Sequence, residues 1–168
     1  MEFKKFETKD FTENPFDILD KEWMLLSAGK PSDYNTMTAS WGGFGFIWAK
    51  PVAMAVVRHS RYTLEFMEKY EHFTYSFFPR EYREVLNFCG KKSGRDVDKA
   101  KETGITAISI PGIDAVTFQE ARLTFVIRKV LTQDLTEPTF FDKEIFAQNY
   151  ATGDIHKLFI GVIEQISI

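Results

Sequence analysis

A single cysteine, Cys89, excludes an internal disulfide and a thiolate-held metal cluster. The histidines, His59, His72 and His156, stand at no metal-binding spacing, so no metal site is expected. Neither a Walker loop, a GxGxxG turn nor a GxSxG elbow occurs, which removes support for the usual nucleotide-binding folds and the serine-hydrolase elbow. No apolar run exceeds Pro51–Val57, far short of a bilayer span. The opening MEFKKFETKDF alternates charges and has no apolar core of the kind that directs export. A cytoplasmic protein without a membrane partner is expected. Nor is there a basic excess: 21 Lys and Arg against 24 Asp and Glu give a net charge of −3, which argues against nucleic acid as a partner. That balance still allows a small basic pocket.

Aromatic residues, by contrast, are plentiful. Seventeen Phe contribute to an aromatic fraction of 15%, a load that needs a packed interior or a partner surface to cover it. With 168 residues and no repeat or flexible linker, one domain over residues 1–168 is expected. Trp23–Ala28 reads as a buried strand ending at the turn Gly29-Lys30-Pro31, and Pro51–Arg58 as one too apolar to face water. His72–Phe78 is a short aromatic strand. In Ala121–Val130, Leu123, Phe125 and Ile127 alternate with polar residues, the pattern of a half-exposed strand. Leu158–Ile168 forms the last, with Gly161 at a bend or close contact. Helices are expected at Arg61–Tyr70 with Ser60 as N-cap, at Arg80–Cys89, and at Asp96–Glu102 between an Asp96 cap and a Gly104 stop. Phe78, Tyr82, Val85, Leu86 and Cys89 share one helix face, which marks Cys89 as a core residue rather than a nucleophile. The fold class is mainly β with helical insertions, a barrel or sandwich rather than a βαβ repeat.

Three stretches carry candidate chemistry. Asn35, Thr36, Met37, Thr38, Ala39, Ser40 and Trp41, followed by Gly42 and Gly43, put small hydroxyl side chains and a tryptophan just before a buried strand. Such a segment is either a polar turn packed under the indole or the wall of a site for a planar heteroaromatic ring. Arg58, Ser60, Arg61 and Thr63 fall where a strand hands over to a helix. Guanidinium forks, hydroxyls and free N–H groups suit a phosphate there, the alternative being a capped helix with two solvated arginines. Gly90–Asp96 is a second glycine-flanked basic loop, with Lys92 and Ser93 as further anion contacts or simply solvated surface. Adjacent strands of one sheet would bring ring wall and phosphate clamp together. His156, just before the last strand, either donates to a ligand or caps a turn.

In this order the segments N-T-M-T-A-S-W (35–41), K-P (50–51), R-H-S-R-Y-T (58–63), F-T-Y-S-F-F (73–78), C-G-K-K-S-G-R-D-V-D-K (89–99) and H-K-L-F-I-G (156–161) resemble the flavin reductase-like family, and most of all its flavoredoxin-like branch. The resemblance runs from Trp23 to the end of the chain. It implies an FMN-binding split β-barrel of Greek-key topology, a homodimer, and FMN in a groove near the dimer interface. It also implies that Asn35–Trp41 line the isoalloxazine and ribityl chain, that Arg58, Ser60, Arg61, Thr63, Lys92 and Ser93 hold the phosphate, and that His156 approaches the flavin. Val162 departs from the glutamate often found after the last-strand glycine, and residues 134–150 match nothing in the family. Two activities follow. The first is an NADH- or NADPH-dependent flavin reductase passing hydride from nicotinamide C4 to flavin N5 without a side-chain nucleophile. The other is an FMN electron carrier that serves a redox partner protein and lacks a pyridine-nucleotide site. A β-barrel interaction module with an empty pocket is the reading from outside redox chemistry.

Overall fold

The computed structural model describes residues 2–168. Ten strands and five α-helices follow in the order β1 (Lys4–Lys5), α1 (Pro15–Asp17), β2 (Met24–Lys30), β3 (Asp33–Ala39), β4 (Gly42–Ile47), β5 (Lys50–Arg58), α2 (Thr63–Lys69), β6 (His72–Phe77), α3 (Arg83–Lys91), α4 (Lys99–Thr103), β7 (Ala107–Ile110), β8 (Ile113–Phe118), β9 (Leu123–Asp134), α5 (Lys143–Tyr150) and β10 (His156–Ser167). The main sheet runs β3-β2-β6-β9-β10-β5-β4, with β1 on the far end of β10 and every pairing antiparallel. Its terminal strands β3 and β4 are joined through only Ser40 and Trp41, yet they do not pair. The sheet therefore curls until its two edges meet at a corner and stops short of closure. This is a split β-barrel with Greek-key crossovers, such as β2 to β6 and β5 to β10.

Period-two alternation decides what goes inside. Ala53, Ala55 and Val57 of β5, Phe73, Tyr75 and Phe77 of β6, and Leu123, Phe125 and Ile127 of β9 point into the barrel, where Phe125 meets Phe6, Phe11, Phe44 and Phe77 ring to ring. A second core outside the barrel joins Leu25 of β2 to Phe78, Leu86, Cys89, Ile105 and Phe118 beneath α3. Cys89 is fully buried there, and burial pushes its thiol up to about 11, as befits an inert core residue.

Several boundaries differ from the sequence expectation. The first long strand starts at Met24, because Trp23 sits at φ 65°, and it continues through Gly29 to Lys30. The strand from Leu123 is buried on both faces up to Ile127 and reaches Asp134. Thr124 is covered because its hydroxyl joins Thr117, itself bonded to Ser76, beneath the β7–β8 hairpin. The third predicted helix is α4, capped by Asp98 through the Lys101 N–H rather than by Asp96, and it ends at Gly104 with φ 74°. Gly161 makes the expected close contact, since a Cβ there would lie 2.5 Å from Ile127 Cγ2. Among the described residues no helix is long and apolar enough to cross a membrane, and no cluster of His, Cys, Asp and Glu is able to hold a metal ion.

Candidate functional site

The corner where the sheet fails to close holds two adjoining cavities on the outer face of the barrel. The first, about 300 Å³, lies between β3, the start of α2 and the loop after α3. Five cations line it, Arg58, Arg61, Lys91, Lys92 and Lys99, with Asn35, Ser60, Thr63 and Ser93 among the neutral groups and no carboxylate. The second, about 190 Å³, is walled by Thr38, Ala39, Ser40 and Trp41 on one side and by Val56 and His156 on the other. Met37, Arg58 and Arg61 line both cavities. The ring-wall and phosphate-clamp segments do meet, though not on adjacent strands. β3 is the first strand of the sheet order and β5 the last but one, and only the curl of the open barrel brings them together.

Each wall is held from behind. Asn35 donates to Thr63 Oγ1 at 2.8 Å, tying β3 to α2, and Thr38 donates to the Leu86 carbonyl at 2.5 Å, tying β3 to α3. Gly94 lets the basic loop reach β3, because a Cβ there would fall 1.9 Å from Asn35 Oδ1. Lys99 is buried yet makes two strong hydrogen bonds, to the carbonyls of Thr36 (2.7 Å) and Cys89 (2.8 Å). Burial, with Arg61 nearby, brings its ammonium down to about 8. Arg61 spends one N–H on the Gly90 carbonyl at 2.8 Å. Arg58 is more fully engaged, donating to the carbonyls of Asp154 (2.6 Å) and Asn149 (3.2 Å).

Ser60 is not a helix cap. Its N–H and hydroxyl both bond the Asp154 carboxylate, at 3.0 and 2.6 Å, and α2 begins only at Thr63. The N–H groups of Leu64 and Glu65 are taken by the carbonyls of Arg61 and Tyr62, so the positive character of the first cavity comes from side chains rather than from a helix end. Thr36 turns the other way from its neighbours, its hydroxyl accepting from Ser27 at 2.8 Å on the outer side of the barrel wall, the side of Leu25. Its carbonyl alone serves the site, through Lys99.

His156 opens β10 opposite Arg58 and is buried against Trp41, with ring centroids 5.2 Å apart. Burial, reinforced by Arg58, lowers its imidazolium to about 4, so the ring is neutral at physiological pH. Its Nδ1 lies 2.9 Å from the hydroxyl of Tyr150, the last residue of α5. The roles of Lys99, Asp154 and Tyr150 escape a reading of the sequence, although Lys99 closes the 89–99 motif: each acts through partners at least six positions away.

Residues 19–168 match the family model described as flavin reductase like domain. No curated protein matches the chain. Among solved structures, the chain is similar to the flavoredoxin of Desulfovibrio vulgaris (Miyazaki F), with 19% identity, a TM-score of 0.69 and coverage of 98% of this chain and 76% of that one. An FMN-binding protein from Thermus thermophilus with bound 1-cyclohex-2-enone gives 19%, 0.66, 87% and 69%. An NADH:FAD oxidoreductase of Streptomyces globisporus gives 13%, 0.64, 87% and 74%. At these identities the structures establish the shared fold.

Proposed function

The chain belongs to the flavin reductase like domain family of flavin-binding oxidoreductases, and on that premise we propose that it binds FMN across the two cavities and oxidises NADH or NADPH. The observation that carries this reading is the junction of a cavity lined by five cations and no carboxylate with a slot beside Trp41 that is walled by Thr38, Ser40 and a neutral His156 and edged by Arg58 and Arg61, in a protein of net negative charge. A dianionic phosphate matches the first cavity, and a planar ring with carbonyl edges the second. When bound, the flavin supplies the redox chemistry, taking hydride from nicotinamide C4 at its N5 and passing electrons on.

The protein's own residues bind and orient. Arg61, Lys92 and Ser93 supply side-chain donors to the phosphate, while Asn35, Thr63 and Lys99 keep the walls in place. Ala39, Ser40 and Trp41 meet the ring, and His156 faces it from β10 as a neutral group. Arg58 and Ser60 complete the pocket while anchoring the segment before β10. Titration with FMN and then with each nicotinamide under steady-state turnover tests the proposal. Flavin binding without NADH or NADPH oxidation would leave an electron carrier, and no flavin binding would refute the reading outright.

We further propose a homodimer. The outward faces of β5, β10 and β9 carry Met54, Val56, Leu158, Ile160, Val130 and Leu131, all partly or fully exposed and continuous with the ring-side cavity. Phe46 and Trp48 stand exposed on the neighbouring β4 hairpin. So large an apolar surface calls for a cover. Sedimentation at micromolar concentration should give twice the 19.5 kDa chain mass, and a lone monomer would refute the dimer.

A further inference from the structure

The segment from Asp134 to Tyr150 lies within the span of the family match but carries none of the motifs quoted above, yet its last residue reaches the site. Tyr150 is 7% exposed, packs against Phe140 and Phe146, and meets His156 edge to face with centroids 5.5 Å apart. Arg58 lies over the Tyr150 ring at 5.5 Å while its guanidinium holds the Asn149 and Asp154 carbonyls on either side. The tyrosine is therefore fixed in position by its own helix, by the aromatic pair and by β5.

A neutral imidazole carries one proton, and its neighbours decide which nitrogen holds it. Tyr150 Oη is in hydrogen-bond contact with Nδ1 of His156 at 2.9 Å, its one partner among the described residues. Burial keeps the phenol protonated, so its O–H needs an acceptor. Among the described residues only the lone pair of Nδ1 offers one. In the opposite tautomer Nδ1–H would face the phenol, and the buried O–H would have no acceptor, the costlier of the two arrangements. The proton then sits on Nε2. That nitrogen has no partner among the described residues and is not among the sealed, unpartnered atoms, so it is reachable from the cavity that His156 lines.

We propose that Tyr150 is a positioning residue that fixes His156 as the Nε2–H tautomer, giving the ring-side cavity one neutral hydrogen-bond donor. A donor of this kind suits a carbonyl oxygen or an unprotonated ring nitrogen. The identification of that acceptor as belonging to a bound flavin rests on the function proposed above. It also gives that motif-free segment a task, because α5 delivers the group that sets the proton.

Proton–nitrogen correlation spectra of histidine-labelled protein at neutral pH, without flavin, test the tautomer directly. The parent should show Nε2 as the protonated, pyrrole-like nitrogen and Nδ1 as the bare, pyridine-like one, and the reverse pattern would overturn the proposal. In Tyr150→Phe the two nitrogen shifts of His156 should move toward each other as both tautomers become populated, with His59 and His72 unchanged as the folding control. An unmoved His156 in that variant would show that Tyr150 does not set the proton. Riboflavin affinity should fall by roughly 2- to 10-fold in Tyr150→Phe, as the donor tautomer drops from full to partial occupancy. An unchanged affinity would overturn the donor role toward the ring. A parent that binds no flavin would instead remove the proposed function and leave the tautomer result to be judged by itself.

Discussion

The two halves of the site are built on opposite plans. Around the cationic cavity several polar groups are tied to another element: Lys99 to β3 and α3, Asn35 to α2, Arg61 to the end of α3. Around the ring-side cavity the charges are Arg58 and Arg61, shared with the first cavity, while Trp41 stands half-exposed and His156 is held neutral. Binding energy and positional certainty therefore concentrate at the anionic end of a ligand, where charge-assisted bonds are strong. The other end is left open on one side, as a site must be if a second molecule is to approach the same ring.

The sharpest way to break this comparison is Arg61→Ala. A hydrogen bond to a charged group contributes about 1.5–3 kcal/mol, so FMN affinity should fall roughly 10- to 150-fold. Riboflavin, which lacks the phosphate, should bind almost as before. Equal losses for both ligands in a fluorescence titration would mean that the cationic half is scaffold rather than clamp. Next in size is Lys99→Met. It leaves two buried carbonyls without a donor, at about 1–3 kcal/mol for each unsatisfied group. The urea midpoint should drop, and FMN affinity should fall more than riboflavin affinity as the basic loop loosens; an unchanged midpoint would show that the ammonium contributes nothing to the fold.

Smaller effects belong to the open half. FMN should quench tryptophan fluorescence, and Trp41→Phe should remove most of that quenching; equal quenching in the variant would transfer the contact to Trp23 or Trp48. The smallest effect concerns pH. His156 binds its proton near 6.5 when unfolded and near 4 when folded, so the unfolded state holds more protons between those values. Its contribution to stability is complete above 6.5 and is lost as pH falls toward 4. His156→Gln should flatten the urea midpoint against pH in that window, by less than one proton's slope. Identical slopes in the two proteins would place the imidazole in water.

Strands with strict alternation were legible, because burying one face of a pleated strand leaves a two-residue rhythm in the sequence. β4 left no such trace. Gly42, Gly43 and Gly45 interrupt it, and its hairpin turns at Trp48 and Ala49, both at φ 54°, where Asn-Gly would have been the readable signal. The phosphate-clamp and ring-wall residues stood out because they form short runs with an evident chemistry. Thr36 sits in such a run yet its hydroxyl is spent on Ser27 in the outer layer beside Leu25, since register against Ser27, invisible in a linear string, decides its direction. Lys99 and Tyr150 were illegible for a related reason. Each acquires meaning only when the barrel edge, α3 and α5 are folded against one another.

β10 contains one residue too many for its partner. Along β9 its pairing passes from Ile163 to Gln165, so Glu164 is left out of the ladder, where it binds Arg128 at 2.6 Å and His72 at 3.2 Å. Phe159 and Ile163 lie an even step apart and both enter the core, whereas Ile166, an odd step further, enters it as well. Glu164 is thus an uncounted residue: the strand alternates as though Ile163 stood directly before Gln165. Delete it, and Phe159, Ile163 and Ile166 keep facing the core while His156 keeps facing Trp41; the side-chain contacts to Arg128 and His72 are lost. A residue added elsewhere has no such exemption. Inserted between Lys157 and Ile163 while Ile163 keeps its place, it would carry Lys157 into the position facing Trp41 and exchange a neutral donor for a cation. The identity of the group over the ring is consequently stored in the count of residues along the strand as much as in the residue itself.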